Sequence, residues 1–311
     1  MSGSSAPKSA PVSSPARTMV DTISWAMRAA VFAGGAIAPL CADAMTGWSG
    51  VARVVTNVAI WAAWAVALLC VLVPSSVSLT AIRLVCPTSI VSSGIVVVLD
   101  GDSASGVALV LAIVATLLVF SADVGESFVQ VSAYGDERRH LLRCPATMAS
   151  IQILAWIAWV SSIVTTTSFG IGQNRIGATL SGVVAIVLSW LLPRRFHRYS
   201  RRWLVQVPAG LVVHDHVVLA ETAMFLARDI RSVEAATIGS SDAADLTGGC
   251  RGPALRVTLD DFETVVLSAT RADPGGRAVH VRSMMVCPSR LGRALAELTT
   301  PPPSTTSPAS S

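Results

Sequence analysis

Four stretches of this chain, Val54 to Val73, Ala104 to Ala122, Thr147 to Phe169 and Ile176 to Leu192, carry no charged side chain at all. Lipid offers the backbone no hydrogen-bond partner, so a helix needs about 20 such residues to cross a hydrocarbon core. A water-soluble fold of this size could not hide so much apolar surface: of 311 residues, 52% are hydrophobic and 14% charged, where soluble domains carry roughly 25% charge. The apolar residues crowd between Trp25 and Leu192, and the last third is ordinarily polar.

Two more segments approach spanning length. Val77 to Leu99 holds Arg83 near its start and Pro87 a turn later; an arginine two turns into a helix can snorkel to the headgroups, so a spanning helix is still expected. Ile23 to Met45 has its uncharged stretch confined between Arg28 and Asp43. It suits either a short spanning helix or a signal-peptide core, Ala42-Asp43-Ala44 matching a small-x-small cleavage site. The long preceding tail and the small residues Ala30, Gly34, Ala38 and Ala42, repeating every fourth position, favour an uncleaved helix.

Positive charge sets the orientation. With the C-terminus inside, twelve basic residues fall on the inner side: Lys8, Arg17, Arg28, Arg83, Arg138, Arg139, Arg143, Arg194, Arg195, Arg198, Arg201 and Arg202. Only Arg53 and Arg175 fall outside. Both termini are therefore expected in the cytoplasm of a multi-pass cell-membrane protein. The expected divisions are a disordered Ser/Pro/Ala tail at 1–18, a transmembrane domain at 19–193, a basic juxtamembrane segment at 194–202, a cytoplasmic β-rich domain at 203–298 and a disordered tail at 299–311.

Past Pro193 the pattern turns to short period-2 runs: Leu204 to Val207, Leu211 to His214, Ile230 to Ala235, Leu255 to Asp260, Thr264 to Ser268 and Ala278 to Val286. Turn residues such as Pro208-Ala209-Gly210 separate them, and Pro288 to Leu298 spaces its leucines as a helix does. The fold class expected is an α-helical transmembrane bundle of about six helices followed by a small β-rich cytoplasmic domain, with an element order like that of the pleckstrin-homology (PH) fold.

Chemistry-bearing patterns are sparse. The six cysteines show no CxxC and no zinc-like spacing with histidine, and there is no phosphate loop, HExxH or GxSxG. His214-Asp215-His216 offers two imidazoles without an evident third ligand, so a turn with a structural aspartate is expected there. No catalytic, cofactor-binding or metal-binding residue is assigned, and no cofactor is expected. The clearest local signal is Arg194-Arg195-Phe196-His197-Arg198-Tyr199-Ser200-Arg201-Arg202-Trp203, a cationic and aromatic run suited to anionic headgroups. With Arg138, Arg139 and Arg143 of the second inner loop, Arg194, Arg195, Arg198, Arg201 and Arg202 form the expected surface for membrane lipid or a protein partner. Nucleic acid is not expected, because the arginines flank apolar segments.

Leu79-Thr80-Ala81-Ile82-Arg83-Leu84, Tyr134-Gly135-Asp136-Glu137-Arg138-Arg139 and Arg201-Arg202-Trp203-Leu204-Val205 with Val207-Pro208-Ala209-Gly210 resemble a family of uncharacterised multispanning membrane proteins of high-GC Gram-positive bacteria. The resemblance implies the same architecture and supplies no catalytic residue. The function expected is that of a non-enzymatic scaffold or sensor with a cytoplasmic binding domain; a transporter or channel component is the alternative.

Overall fold

The computed structural model describes residues 15–45, 47–48, 50–99, 101–239, 243–269 and 274–299, with side chains from Thr22 onward. The expected tails at 1–18 and 299–311 lie outside this range apart from Pro15 to Thr18 and Thr299, which belong to helices.

Among the described residues, six helical stretches are long and apolar enough to cross a membrane. The first is α1 (Pro15–Ala33) continued by α2 (Ile37–Ala44) across a single 3-10 turn, Gly34–Ala36. That tighter turn shifts the helical face, so Ala30 and Ala38 of the small-residue stripe pack inward while Gly34 meets nothing. Next come α3 (Gly50–Leu72), then α4 (Ser76–Val85) and α5 (Thr88–Leu99), which Pro87 separates. Last are α6 (Ser103–Phe120), α8 (Ala146–Ile171) and α9 (Arg175–Ser200). Side-chain caps fix several starts: Ser75, Asp102 and Asn174 accept the backbone N–H three residues on. α9 runs through Pro193, so Arg194, Arg195 and Arg198 occupy its last turns and not a separate segment.

Between α6 and α8 the chain forms a short amphipathic helix, α7 (Ala122–Gln130), and a strand, β1 (Arg138–Leu141). Seven strands follow α9: β2 (Trp203–Val207), β3 (Gly210–His214), β4 (Ala223–Leu226), β5 (Ile230–Thr237), β6 (Ala244–Asp245), β7 (Pro253–Leu267) and β8 (Arg277–Val286), closed by α10 (Leu291–Thr299). The runs expected at Leu255 to Asp260 and Thr264 to Ser268 are one strand, β7, whose pairing with β8 shifts register between Thr258 and Glu263. One sheet has the order β1-β2-β3-β4, the other β5-β7-β8-β6.

β1 pairs antiparallel with β2, Arg138 opposite Gln206 and Leu141 opposite Trp203. The loop between α6 and α8 is thus part of the β-rich region, which does not begin at residue 203. Each face of this sheet lies in a different core. Trp203, Val205 and Leu141 join Leu79, Ile82, Phe128 and Val129 of the helices, whereas Leu204, Leu211, Val213 and Leu142 join Leu255, Val257 and Met284 of the second sheet. A strand with two buried faces reads as a continuous apolar run, as Trp203-Leu204-Val205 does.

The α8–α9 hairpin packs mainly on itself. Thr166 Oγ1 donates to Ser181 Oγ at 2.9 Å, Trp159 Nε1 donates to Ser189 Oγ at 2.8 Å, and a Cβ at Gly177 would lie 2.6 Å from the Phe169 ring. The small residues Gly177, Ser181 and Ser189, four apart or a multiple of it, therefore face α8. Ser181→Leu should overpack this seam and cost about 1–3 kcal/mol, lowering the melting temperature in detergent, while Val187→Leu on the exposed face leaves it unchanged. Equal melting temperatures for the two variants would rule out a close α8–α9 seam.

Candidate coupling site between the helices and the β-rich region

Ser121 caps α7 by accepting the Val124 N–H at 3.3 Å, and Val124, Phe128 and Val129 turn into the helical core. That leaves Asp123 and Glu126, three residues apart and so on one face, buried but directed at α10. α10 presents the complementary spacing: Arg290 pairs with Asp123, and Arg293 pairs with Glu126 at 3.0 Å. Gly125, between the acids, is closely approached: a Cβ there would lie 2.8 Å from the end of the Leu141 side chain and 2.9 Å from the Arg83 guanidinium, so those side chains would have to move aside. Gln130 then fixes the turn into β1, donating to the Glu137 carbonyl and accepting the Arg139 N–H, both at 2.8 Å.

His140 on β1 completes the joint. Its ring is 2% exposed, neither nitrogen has a hydrogen-bond partner, and Nε2 stands 3.6 Å from a Glu297 carboxylate oxygen of α10. Burial, reinforced by Arg293 and Arg138, pushes this imidazole down to about 4. Burial pushes the Glu126 carboxyl the other way, up to about 7, against the attraction of Arg293. Two buried groups of opposite charge type are thus both held towards neutrality in one joint.

A second polar cluster locks the β-rich region onto the end of α9. Arg202, expected at the membrane surface, is 1% exposed and points into the protein. Its Nε donates to both Asp215 oxygens at 2.9 Å, Nη2 lies 2.8 Å from Oδ2, and the remaining N–H groups reach the carbonyls of Arg143 and Thr247 at 3.2 Å. Asp215 also accepts the Val217 N–H at 3.0 Å. The structural aspartate expected within His214-Asp215-His216 is thus the anionic partner of Arg202, whose guanidinium ties four chain segments together. At Gly248, φ is +71° and a Cβ would stand 3.0 Å from Arg202 Nη2, so glycine lets that loop close over the guanidinium.

The two histidines do meet. His214 stacks on Trp203 at 5.1 Å, shares a hydrogen bond with Thr222 at 3.0 Å, and lies edge-on to His216 at 4.3 Å. Burial and then the neighbouring His216 push His214 down to about 4. Among the described residues no three His, Cys, Asp or Glu side chains converge as metal ligands would.

The other arginines of the expected surface divide. Arg139 pairs with Glu137 at 2.9 Å and lies over the Trp203 ring at 5.4 Å, and Arg143 donates to the Pro253 carbonyl. Arg138, Arg194, Arg195, Arg198 and Arg201 are exposed, Arg194 lying 4.2 Å over the Trp190 ring. Sequence reasoning missed the α7–α10 joint, although its signal was present in two i, i+3 charge pairs of opposite sign, Asp123/Glu126 and Arg290/Arg293. Comparison with known protein families, curated proteins and solved structures finds no match for this chain.

Removing one partner of a buried ion pair strands the other, at a cost of about 3–5 kcal/mol. Asp215→Ala and Arg202→Met should each be strongly destabilising in thermal melts, and the double variant should lose much less than the sum of the two. Strict additivity would show that the pair is not coupled.

The joint should also respond to pH. Because the folded pKa of Glu126 is raised, its neutral form favours the fold below the ordinary 4.5, and that contribution is lost as pH climbs through about 7. His140 is lowered, so its contribution is present above the ordinary 6.5 and lost as pH falls towards about 4. Relative to Glu126→Gln, the wild-type melting temperature should fall between pH 4.5 and 7; relative to His140→Gln, it should rise between pH 4 and 6.5. Flat differences in both series would show that neither group changes protonation on folding.

Proposed function

We propose that this chain is a multi-pass protein of the cell membrane, with its first apolar helix retained and both termini in the cytoplasm. We further propose that its β-rich region is a PH-like binding module serving a non-enzymatic sensor or scaffold. The observation that carries this reading is β1: a strand from the loop between α6 and α8 sits at the edge of a sheet otherwise made after α9. A partner bound to that sheet would act on the α6–α8 loop and on the end of α9 together, which is what relaying a signal between cytoplasm and bilayer requires. Two four-stranded sheets, antiparallel except for the short parallel β6–β8 pairing, and a closing C-terminal helix support the PH-like assignment.

The helices support the membrane reading through what they leave uncovered. Val58, Leu69, Leu117, Leu154, Leu180 and Ile186 all point outward and exposed, a continuous apolar surface that water would not tolerate on a monomer. Met27, Val31, Ile37 and Cys41 of the first apolar stretch are buried against other helices, which favours its retention. The exposed Arg194, Arg195, Arg198 and Arg201 follow the last apolar stretch on the side of the β-rich region, where anionic headgroups would meet them at about 1 kcal/mol each.

Reporter fusions test the orientation. A reporter active only outside the cell should work when fused near Gly101 or Gly172 and stay silent near Gly135 or after Arg202. Activity at Gly135 or Arg202 would reverse the topology and remove the cytoplasmic binding module with it.

A further inference from the structure

The α8–α9 hairpin is pinned to the other helices near the β-rich region, where Trp156 Nε1 donates to the Leu84 carbonyl at 2.9 Å and Thr80 shares a hydrogen bond with His197 at 3.0 Å. Beyond these ties it stands away from α3 and α5, leaving a lateral cleft of about 640 Å³, within the range of small-molecule sites. One wall runs along α3 from Val55 to Ala67 and the facing wall along α8 from Trp159 to Ile171, with Val31 and Ala112 at the back. Each wall is twelve residue steps of helix, or roughly 18 Å.

No charged side chain lines this cleft, and most of its polar side chains are engaged within the protein. Thr88, Ser89, Ser92, Thr167 and Ser168 donate their hydroxyls to carbonyls of their own helices, or of the residues just before them, three or four positions back. Trp64 Nε1 donates to the Val31 carbonyl at 3.0 Å and Trp159 Nε1 to Ser189. A charged solute entering here would shed its hydration and meet no opposite charge in return.

We propose that the cleft holds the hydrocarbon chain of a membrane phospholipid as a resident ligand, in the leaflet remote from the β-rich region. This inference rests on the membrane reading above. The length agrees, since one leaflet contributes about 15 Å of hydrocarbon. A helix from a second copy is the competing occupant, and the labelling experiment below separates the two. The C-terminal tail, TTPPPSTTSPASS, has no apolar run to offer. The chain in the cleft would set the spacing of α8 and α9 from α3, and α9 leads through Arg202 directly into β2.

The full-length protein, reconstituted in phosphatidylcholine vesicles doped with a phospholipid carrying a photoreactive diazirine on one acyl chain, tests this by peptide mapping of the labelled sites. Labelling should concentrate on residues 55–67 and 159–171 and fall several-fold in Ala63→Trp, which fills the cleft, but not in Val187→Trp on an outward face. Ala63→Leu serves as a milder filling variant, and each variant is first required to melt as the wild type does in detergent. Labelling spread evenly over all outward faces, or unmoved by both Ala63 variants, would overturn the proposal, as would crosslinks between two copies across α3 and α8. Vesicle flotation separates the two readings: protein that floats without cleft labelling removes only the lipid site, whereas protein that never enters vesicles removes the membrane reading as well.

Discussion

The rest of the structure depends on one strand, β2, whose Trp203-Leu204-Val205 run is buried on both faces. Along β2, Trp203 and Val205 enter the core of the helices and Leu204 enters the core of the second sheet. A shift of pairing by one residue would exchange the two sets, so register is fixed by two independent cores at once. This is why the helices and the β-rich region cannot be described as two domains joined by a linker. They share a layer, and the layer includes a strand drawn from between two helices.

Burying such a layer leaves its ends to be satisfied, and the chain does so with arginine. Arg202 stands one residue before β2, where α9, the α8 approach and two loops of the β-rich region meet, and a planar guanidinium can serve a carboxylate and two carbonyls together. The α7–α10 joint uses the same chemistry closer to the surface: Arg290 is 43% exposed over an almost fully buried Asp123. Coulomb attraction between partly solvated groups is weak, so the value of this joint lies in orientation. It sets α10 against α7 and the sheet edge in one pose.

The helices were legible because their signal is local. Uncharged runs of spanning length identify themselves; the short helix α7, the start of α1 at Pro15, the breaks at Gly34–Ala36 and Pro87 and the continuation of α9 past Pro193 did not. Most strands after residue 203 were legible for the same reason, through alternation. β1 was not, because Arg138-Arg139-His140-Leu141 has polar residues where alternation would place apolar ones, and His140 is buried by contacts that arrive from distant segments. The role of Arg202 was hidden in a run of neighbouring arginines with the same composition. What separates it from Arg201 is a single step of strand geometry, which points one side chain outward and the next into Asp215.

The placement of β1 also has a consequence in time. A ribosome delivers about 5–20 residues per second, so β1 exists for several seconds before β2, with both long helices α8 and α9 still to be made. Asp123 and Glu126 wait longer still, since their arginine partners lie 167 residues downstream. During that interval the loop after α6 displays an unpaired strand edge and two carboxylates that have nowhere dry to go. Completion of the chain at its far end is what closes its middle: a product that stops before β2 carries the open edge, and one that stops short of Arg290 still carries two buried carboxylates without their arginines.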